Sequence, residues 1–388
     1  MGVLIDYTSG FFEASPSGEV VGSITGNATL DLTSGNVFSH TPTANTTFAF
    51  SNPPASGTGY DFTMKVIGAN VAETYDIANA SYDNKSLAVT SQENNPRAVA
   101  FKSDGTKMYV SGVQNSTVYQ YSLSTEWDVS TASYDNVSMS TSSQSNQPQG
   151  LAFKSDGTVL FVAASIEDRV YQYNLSTAWD LSTASYASKN FSVSGQDGTP
   201  SGLFVKPDGT TTYVIGNGTD TVYQYALSTA WDASTASYAN KSFSVVSQDN
   251  GAQDLYFNDV GTKMFVVGGQ NDKVYRYSLS TAWDVSTASY DSVDFSFTSQ
   301  ITAGNPMGLA FKPDGTKMYT CDYNSATVYQ YSTTGSSALA TITYPSSVKW
   351  PSGTAPTAPA NGETDVYTFF TTDGGNTYYG NQTGDNTS

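Results

Sequence analysis

Polar side chains that could bind a ligand are concentrated in short loops that recur along the middle of this 388-residue chain. Amide and carboxylate groups can hydrogen-bond to a sugar or a receptor surface, and a nearby tyrosine ring can stack on it. Carboxylate and carbonyl oxygens could also hold Ca²⁺, but no spacing matches a known calcium loop, so we predict no metal and no cofactor. The predicted ligand or receptor face consists of Gln114, Asn115, Glu167, Asp168, Asn217, Asp220, Asn271, Asp272, Asp322, Tyr323 and Asn324.

Residue types suited to covalent or acid–base catalysis are scarce. Cys321 is the only cysteine and His40 the only histidine, so an intramolecular disulfide is excluded and no cysteine–histidine pair is evident. We expect Cys321 to be a packed residue at the end of a strand and His40 to lie in a polar loop.

Composition argues against several classes of partner. Acidic residues outnumber basic ones by 34 to 16, and the resulting net charge of −18 would repel nucleic acid while favouring solubility. No run approaches the ~18 apolar residues of a membrane span, so we predict no membrane insertion. The N-terminal MGVLIDYTSG lacks the basic and long apolar regions of a secretory signal. Few charges, with abundant Ser, Thr, Asn, Gly and Tyr, are typical of β-rich extracellular or virion proteins.

The loops belong to five copies of one unit, which must position them. A glycine that ends the first strand recurs every 52 residues, with a last interval of 54. An Asp-Gly hairpin turn joins the first two strands in four of the units, whereas the fourth unit has Val260-Gly261 there. In the first four units a long Trp-Asp connection joins the last two strands. Self-similarity at this period predicts a propeller. The glycines are Gly105, Gly157, Gly209, Gly261 and Gly315, and we expect Trp127, Trp179, Trp231 and Trp283 to be packing anchors.

The fifth copy ends after Tyr331 without a fourth strand. An equivalent stretch precedes the first copy, where Thr74–Tyr82 mimics the Trp-Asp connection and Ser86–Val89 mimics the strand. This strand can complete the last blade and close the ring, leaving no open sheet edge. We therefore predict a five-bladed β-propeller over residues 72–334.

Two loop families of a propeller emerge at one end: those after the fourth strand and those between the second and third strands. Both vary between copies, whereas the hairpins and Trp-Asp connections are almost verbatim, so we interpret the variable end as a binding face. Neutral drift in solvated loops is the alternative. A glycosidase would need an inward acid in the central well. We expect none, because the first-strand runs contain no acidic residue: Ala98–Phe101, Leu151–Phe153, Leu203–Val205, Leu255–Phe257 and Leu309–Phe311.

The two ends of the chain, residues 1–71 and 335–388, alternate short apolar runs with turn residues, which indicates antiparallel strands. Neither end has enough strands to bury a core alone. Because ring closure brings the ends of the array together, we predict that both flanks form one small β-sandwich-like domain. The predicted fold is all-β, with the propeller inserted into that domain.

The flanks also resemble a known module. Thr25–Val66 and Thr341–Gly384 are similar to a small β module that recurs in marine bacteriophage virion and tail-fibre proteins. Its uninterrupted members pass almost directly from a strand like Phe62–Val66 to one like Thr341–Tyr344. The array resembles bacterial and phage repeat propellers with Phe-Lys-Pro-Asp-Gly units, such as Phe311–Gly315. The first resemblance implies a structural module on a virus particle and no activity.

These observations favour a non-enzymatic phage virion surface protein. The sandwich would anchor it to the particle, and the propeller would be exposed for host attachment on a tail fibre or spike. Expected partners are other virion proteins and a host-surface glycan or receptor, and a homo-oligomer is compatible with the sequence. Assembly would take place in the host cytoplasm. The alternatives are a capsid (head) decoration protein, a glycan-binding lectin-like propeller and, least favoured, a glycosidase.

Overall fold

The computed structural model describes residues 20–21, 28–42, 45–72, 74–301, 304–335 and 337–385. Within them the chain forms two units: Thr74–Gly335 is one, and the segments before and after it together make the other. The peptide MGVLIDYTSG and the first three residues of the phage-like segment that begins at Thr25 lie outside the described residues. In the described part of the chain, no helix is long and apolar enough to cross a bilayer.

The N-terminal flank contributes β1 (Val20–Val21), β2 (Ala28–Asp31), β3 (Val37–His40), β4 (Thr46–Ser51), β5 (Tyr60–Ile67) and β6 (Asn70–Ala72). The unit Thr74–Gly335 begins with β7 (Ser81–Ala88) and then repeats one pattern. Blade 1 contains β8 (Pro96–Phe101), β9 (Lys107–Gly112), β10 (Thr117–Leu123) and β11 (Ala132–Ser140). Blade 2 contains β12 (Pro148–Phe153), β13 (Val159–Ala164), β14 (Arg169–Leu175) and β15 (Ala184–Ser192).

Blade 3 contains β16 (Pro200–Val205), β17 (Thr211–Gly216), β18 (Thr221–Leu227) and β19 (Ala236–Ser244). Blade 4 contains β20 (Ala252–Phe257), β21 (Lys263–Gly268), β22 (Lys273–Leu279) and β23 (Ala288–Ser296). Blade 5 contains β24 (Pro306–Phe311), β25 (Lys317–Asp322) and β26 (Thr327–Ser332), and β7 is its fourth strand. One-turn 3₁₀ helices precede the fourth strands at Ile77–Asn79, Val129–Thr131, Leu181–Thr183, Ala233–Thr235 and Val285–Thr287. The C-terminal flank adds β27 (Ser337–Leu339), β28 (Ile342–Thr343), β29 (Val348–Lys349), β30 (Thr364–Thr371) and β31 (Tyr378–Gly384).

The five four-stranded sheets confirm the predicted five-bladed propeller. Closure occurs as predicted, because β7 pairs antiparallel with β26 from Thr327↔Ala88 to Ser332↔Ser81. Asp83 of β7 fixes the pairing, since its carboxylate accepts hydrogen bonds from Lys317, Gln330 and Ser332 of blade 5. The ring therefore has no free edge strand between its first and last blades.

In each blade the hairpin turn packs against the Trp-Asp connection and is hydrogen-bonded to it. Gly105 has φ +75°, and a Cβ there would lie 2.3 Å from Nε1 of Trp127, so the turn requires glycine. The N–H of Trp127 donates to the carbonyl of Gly105, and Asp128 accepts from the N–H of Ser130 to cap the one-turn helix. Tyr75 takes the place of the tryptophan in blade 5 and packs against its hairpin glycine.

Three of the five interfaces between neighbouring blades contain the same lysine–aspartate ion pair. Lys189 of blade 2 pairs with Asp232 of blade 3 at 2.6 Å, and Lys241 of blade 3 pairs with Asp284 of blade 4 at 2.7 Å. Lys85 of β7 pairs with Asp128 of blade 1 at 2.6 Å, so the joint that closes the ring is built like these two, whereas valine takes the lysine position in blades 1 and 4. Five hydrophobic clusters, each with residues from two adjacent blades, fill the spaces between the sheets.

The flanking unit consists of a six-stranded sheet (β1-β3-β5-β30-β31-β29), a three-stranded sheet (β2-β4-β28) and the pair β27-β6. Phe48 of the smaller sheet shares a buried cluster with Phe62 and Phe369 of the larger one. The expected antiparallel pairing of the N-terminal flank is wrong in part, because β2 pairs with β4 and β3 with β5 in parallel. From β1 to β5 the chain changes sheet after each described strand, so no two consecutive strands among these five form a hairpin. The sandwich arrangement itself stays a prediction.

Candidate functional site

The two variable loop families of the propeller lie at one end of the ring, which we call the loop end. The side-chain amide of Asn115, between the second and third strands of blade 1, donates to the carbonyl of Gln92 in the loop after β7 at 3.2 Å. Asn271 donates in the same way to the carbonyl of Gln248 at 3.0 Å. The hairpin turns and Trp-Asp connections occupy the opposite end, the hairpin end.

Five predicted site residues form an exposed polar rim at the loop end: Gln114, Asn115, Asn217, Asn271 and Asn324. Their partners hold several of them in place. The side-chain oxygen of Gln114 accepts from the N–H of Asn94, and Asn115 and Asn271 donate to the hydroxyls of Tyr119 and Tyr275. These amides present hydrogen-bonding groups to solvent in four of the five blades.

Three predicted acidic residues face the next blade and not a common site. Asp168, Asp220 and Asp272 have φ of 51°, 48° and 50°, in the left-handed region where each turn ends. The carboxylate of Asp220 accepts from the N–H of Ala252 at 3.0 Å. The positions equivalent to Ala252 in blades 3 and 5 are prolines, which have no N–H to donate. Oδ1 of Asp168 and Oδ1 of Asp272 are therefore buried without a hydrogen-bond partner. Burial and nearby carboxylates raise the pKa of all three residues.

The last three predicted residues are Asp322 and Tyr323, which are consecutive in blade 5, and Glu167 in blade 2. Asp322 is buried and accepts from the N–H groups of Asn305 and Ser325. The ring of Tyr323 lies 4.5 Å below the guanidinium of Arg97. Glu167 is half-buried in blade 2. Binding by the loop end stays a prediction, and its exposed amides are the groups available for it.

Sequence reasoning missed the carboxylates that organise the loops. Glu93, Asp197 and Asp249 occupy the same position in three blades and are buried. Asp249, for example, accepts hydrogen bonds from the N–H groups of Gly251, Gln270 and Asn271. Their partners include main-chain N–H groups of a second loop, which the sequence does not reveal.

A carboxylate also lies in the central channel, although the sequence predicts no inward-facing acid there. The strand β20 begins at Ala252, three residues before the predicted run, and so includes Asp254. The equivalent residues of the other first strands are Ala98, Gly150, Gly202 and Gly308. The prediction that no acid faces inward is therefore wrong, and a comparison of the five strands position by position would have found Asp254 as the one large residue.

At this level of the channel the main chains of neighbouring first strands approach each other closely, which explains why the residues there are small. A Cβ on Gly202 would lie 2.5 Å from both Cα and Oδ1 of Asp254, and a Cβ on Gly150 would lie 2.5 Å from the nitrogen of Leu203. The first strands thus come together in a narrow neck. Asp254 fills this neck from blade 4 and is only 5% exposed.

Main-chain N–H groups from three blades surround the Asp254 carboxylate. Oδ1 accepts from Leu255 at 2.9 Å and from Leu203 at 3.3 Å, and Oδ2 accepts from Leu309 at 2.9 Å. Burial raises the pKa of Asp254 to about 7, and the three hydrogen bonds oppose that rise. The side chain therefore titrates near neutral pH.

Asp254 forms the inner end of a cavity of about 370 Å³ that extends to the hairpin end. Exposed turn residues such as Ser103 and Asp259 line its rim. The first strands contribute Ala100, Ala152, Phe204, Tyr256 and Ala310 at one level, and the connections contribute Trp127, Trp179 and Trp231. The wall is mainly apolar, with Asp254 as its one deep charge.

The remaining catalytic residue types are packed within the protein. Cys321 is buried near the neck, where its sulfur accepts from the N–H of Gly308, and burial raises its thiol pKa to about 12. The structure contradicts the expected loop position of His40, which ends β3 and is buried against Phe48. Burial lowers the pKa of His40. Among the described residues no group of three or more His, Cys, Asp or Glu is arranged to hold a metal.

Comparisons with known proteins add little beyond the fold. No protein-family model matches the chain, and no curated protein matches it. A periplasmic gluconolactonase of Pseudomonas aeruginosa is 15% identical with a TM-score of 0.38, over 52% of this chain and 54% of that one. A candidate 6-phosphogluconolactonase of Bacteroides fragilis is 12% identical with a TM-score of 0.38, over 52% and 55%. The Swd1 β-propeller domain of Myceliophteria thermophila is 10% identical with a TM-score of 0.36, over 65% and 99%.

The chain thus spans a little over half the length of these two lactonase chains. Identity and overlap at this level carry no lactonase chemistry to the present protein. The basis for a function is the five-bladed ring itself, with exposed amides at the loop end and one carboxylate deep in the channel.

Proposed function

We propose that this chain is a non-enzymatic bacteriophage virion surface protein. The flanking unit attaches it to the particle, and the propeller is exposed for host attachment. One observation carries the proposal: β5, from the first phage-like segment, pairs with β30, from the second, over the whole of Tyr60–Ile67. Two segments nearly 300 residues apart thus form one sheet, as expected if the propeller interrupts a single virion module.

The loop end supports attachment as the task of the propeller. Its exposed amides differ from blade to blade, and a closed ring presents them on a rigid frame. Amide groups of this kind hydrogen-bond to hydroxyl-rich glycans, which also fits a lectin-like propeller. Host-surface glycan is therefore the ligand class that we propose for this end.

The channel gives less support to hydrolysis. Glycoside cleavage uses two carboxyl groups about 5–9.5 Å apart. The five first strands, all of them described, provide only Asp254, so the second carboxyl group that glycoside cleavage needs is missing from them. Asp259 lies in an exposed turn at the rim. A glycosidase or lactonase is thus less well supported than a binding protein.

The first test is the protein content of washed particles of the phage that encodes this chain. Mass spectrometry should find the chain at a repeating copy number, and antibody labelling in electron micrographs should place it on the tail fibre or spike. Labelling over the head would favour the decoration protein instead. A chain missing from washed particles would overturn the virion assignment.

The second test addresses host attachment. Purified protein should compete with the phage for adsorption to host cells, and Asn115→Ala with Asn271→Ala should weaken that competition about tenfold or more, given roughly 1 kcal/mol per lost hydrogen bond. Glu126→Ala at the hairpin end is a matched control, because blades 2 to 4 have alanine at that position. Equal competition by all three proteins would exclude the loop end as the attachment surface.

A further inference from the structure

The cavity at the hairpin end has the features of a second binding site, separate from the loop end. Its volume of about 370 Å³ falls within the usual range for small-molecule sites, and its rim residues are exposed. Phe204 and Tyr256 lie on its wall, with rings 5.3 Å apart. The host-attachment proposal makes no use of this cavity.

Asp254 is not needed to build the neck that it occupies. Four of the five blades form the same level of the channel with alanine or glycine. A buried carboxylate without a cation is costly, and no Lys, Arg or His is among the described residues that line the cavity. This level of the channel can thus be built without a charge, and the carboxylate of Asp254, which also accepts main-chain N–H groups from three blades, lines the cavity where a ligand could reach it.

The hydrogen bonds of Asp254 leave it able to accept one more partner. A carboxylate offers about four lone-pair sites, and the N–H groups of Leu203, Leu255 and Leu309 use three of them. Oδ2 has one contact and Oδ1 has two, so the free site is on Oδ2. When it is ionised, the carboxylate has no cationic partner among the described residues that line the cavity.

Aromatic rings on the cavity wall favour a particular kind of cation. The faces of tryptophan, tyrosine and phenylalanine attract cations within about 6 Å, and the cavity is lined by Trp127, Trp179 and Trp231. An aromatic ring at this end already has a cation beside it, since Nζ of Lys206 lies 5.8 Å from the centre of the Trp283 ring. A methylated ammonium group suits such a wall because it has few or no N–H groups that would need acceptors.

We propose that this cavity binds a small organic cation with a methylated ammonium group, with Asp254 as the counter-charge and the aromatic wall around the methyl groups. The net charge of −18 favours the approach of cations over anions. A phosphate- or carboxylate-bearing ligand is disfavoured for the same reason.

Calorimetric titration of the full chain tests the site with choline and with its neutral isostere, 3,3-dimethylbutan-1-ol. Choline should bind at least tenfold more tightly than the isostere. Asp254→Asn should weaken choline binding at least tenfold and leave binding of the isostere within about twofold. Asp61→Asn, the same change at an exposed residue of β5 that does not line the cavity, is the matched control and should leave both unchanged. Equal affinity for choline and the isostere would mean that the site recognises shape alone and would overturn the proposal.

A cavity-filling variant keeps the proposal testable even if Asp254→Asn fails to fold. Ala152→Phe places in blade 2 the residue that blade 3 has as Phe204, so we expect a folded ring with a blocked channel. This variant should unfold within a few degrees of the unaltered protein and should lose choline binding. Choline binding that persists in a folded Ala152→Phe variant would place the ligand elsewhere and refute the site.

Discussion

At the residue scale, Asp254 is the departure from repeat symmetry with the clearest chemical meaning. Every other first strand has alanine or glycine at its position, whereas Asp254 accepts hydrogen bonds from three blades at once. The side chain therefore links blades 3, 4 and 5 through their main chains. Because the carboxyl group is buried, its pKa is higher in the folded state than in the unfolded chain.

Asp254 should give the stability of the protein a measurable dependence on pH. Its pKa of about 7 in the folded state lies above the usual value of an unfolded aspartate. The protonated form therefore favours folding, and this contribution is complete below about pH 4 and is lost as the pH rises through 7. Urea unfolding from pH 4 to 8 should show the advantage of the unaltered protein over Asp254→Asn shrinking by a few kcal/mol, since each pKa unit is worth about 1.4 kcal/mol.

The neighbouring groups allow that change to be attributed to Asp254. Cys321, which is close to the neck, has a thiol pKa of about 12 and stays protonated throughout. The other groups that face the carboxylate are the main-chain N–H groups of Leu203, Leu255 and Leu309, which do not titrate. A stability difference that is constant from pH 4 to 8 would show that Asp254 is ionised across this range.

Some roles of single residues can be predicted from the sequence, whereas others become visible only in the folded structure. The single Asp254 among small residues is visible once the strands are aligned position by position. The role of Asp249 is not, because its partners are N–H groups about twenty residues later, in another loop. Nor does the sequence show that a proline in the next blade leaves the Asp168 carboxylate without a donor.

At the scale of elements, the propeller was predictable because its strands could be counted. Five copies of each strand type, with one copy displaced ahead of the array, admit one closed ring, and β7 does complete blade 5. The flanks contain no repeated strand types, so their strands could not be assigned by counting. Alternation there shows which side chains face inward, but the parallel partners of β4 and β5 depend on chain crossings that alternation does not encode.

The closing register can be tested by a disulfide between β7 and β26. Thr327 lies directly opposite Ala88, and side chains in opposed positions are about 4.5–5.5 Å apart, which suits a disulfide. Ala88→Cys with Thr327→Cys should therefore cross-link on oxidation. The bridge closes a loop of more than 200 residues, so it should raise the free energy of unfolding by up to about 4–5 kcal/mol in the chain-entropy model.

Two features of the chain make this experiment clean. Cys321→Ser removes the native thiol, and Ser111 shows that serine is accommodated at the same position in blade 1. Leu87→Cys with Thr327→Cys is one residue out of register and points to the other face of the sheet, so it should not cross-link. Efficient bridging by the Leu87 pair would contradict the observed register.

At the scale of the whole molecule, the propeller begins and ends at nearby points. Within it, a Cβ on Gly335 would lie 2.2 Å from Oδ2 of Asp76. Within the flanking unit, β6 and β27 pair antiparallel with Ala72 opposite Ser337. The chain thus leaves and re-enters the flanking unit across one strand pair, which is a suitable place for an inserted domain.

Removal of the propeller should therefore leave a folding unit. A two-residue Asn-Gly turn can join Ala72 directly to Ser337, because such turns connect opposed antiparallel strands. We expect this shortened chain to show a β-sheet circular dichroism spectrum and one cooperative thermal transition. The separate fragment Thr74–Gly335 serves as the counterpart and should fold with its own transition. A shortened chain that unfolds without cooperativity would indicate that the flanks depend on the propeller.

The repeated joint has a consequence for how such a protein changes over generations. Wherever a lysine of one blade pairs with the Trp-Asp aspartate of the next, the two blades contact each other through the same ion pair. Recombination within the gene could exchange one blade for another while leaving both joints compatible. New turns at the loop end could thus be acquired a whole blade at a time, with the recognition surface evolving faster than the ring that carries it.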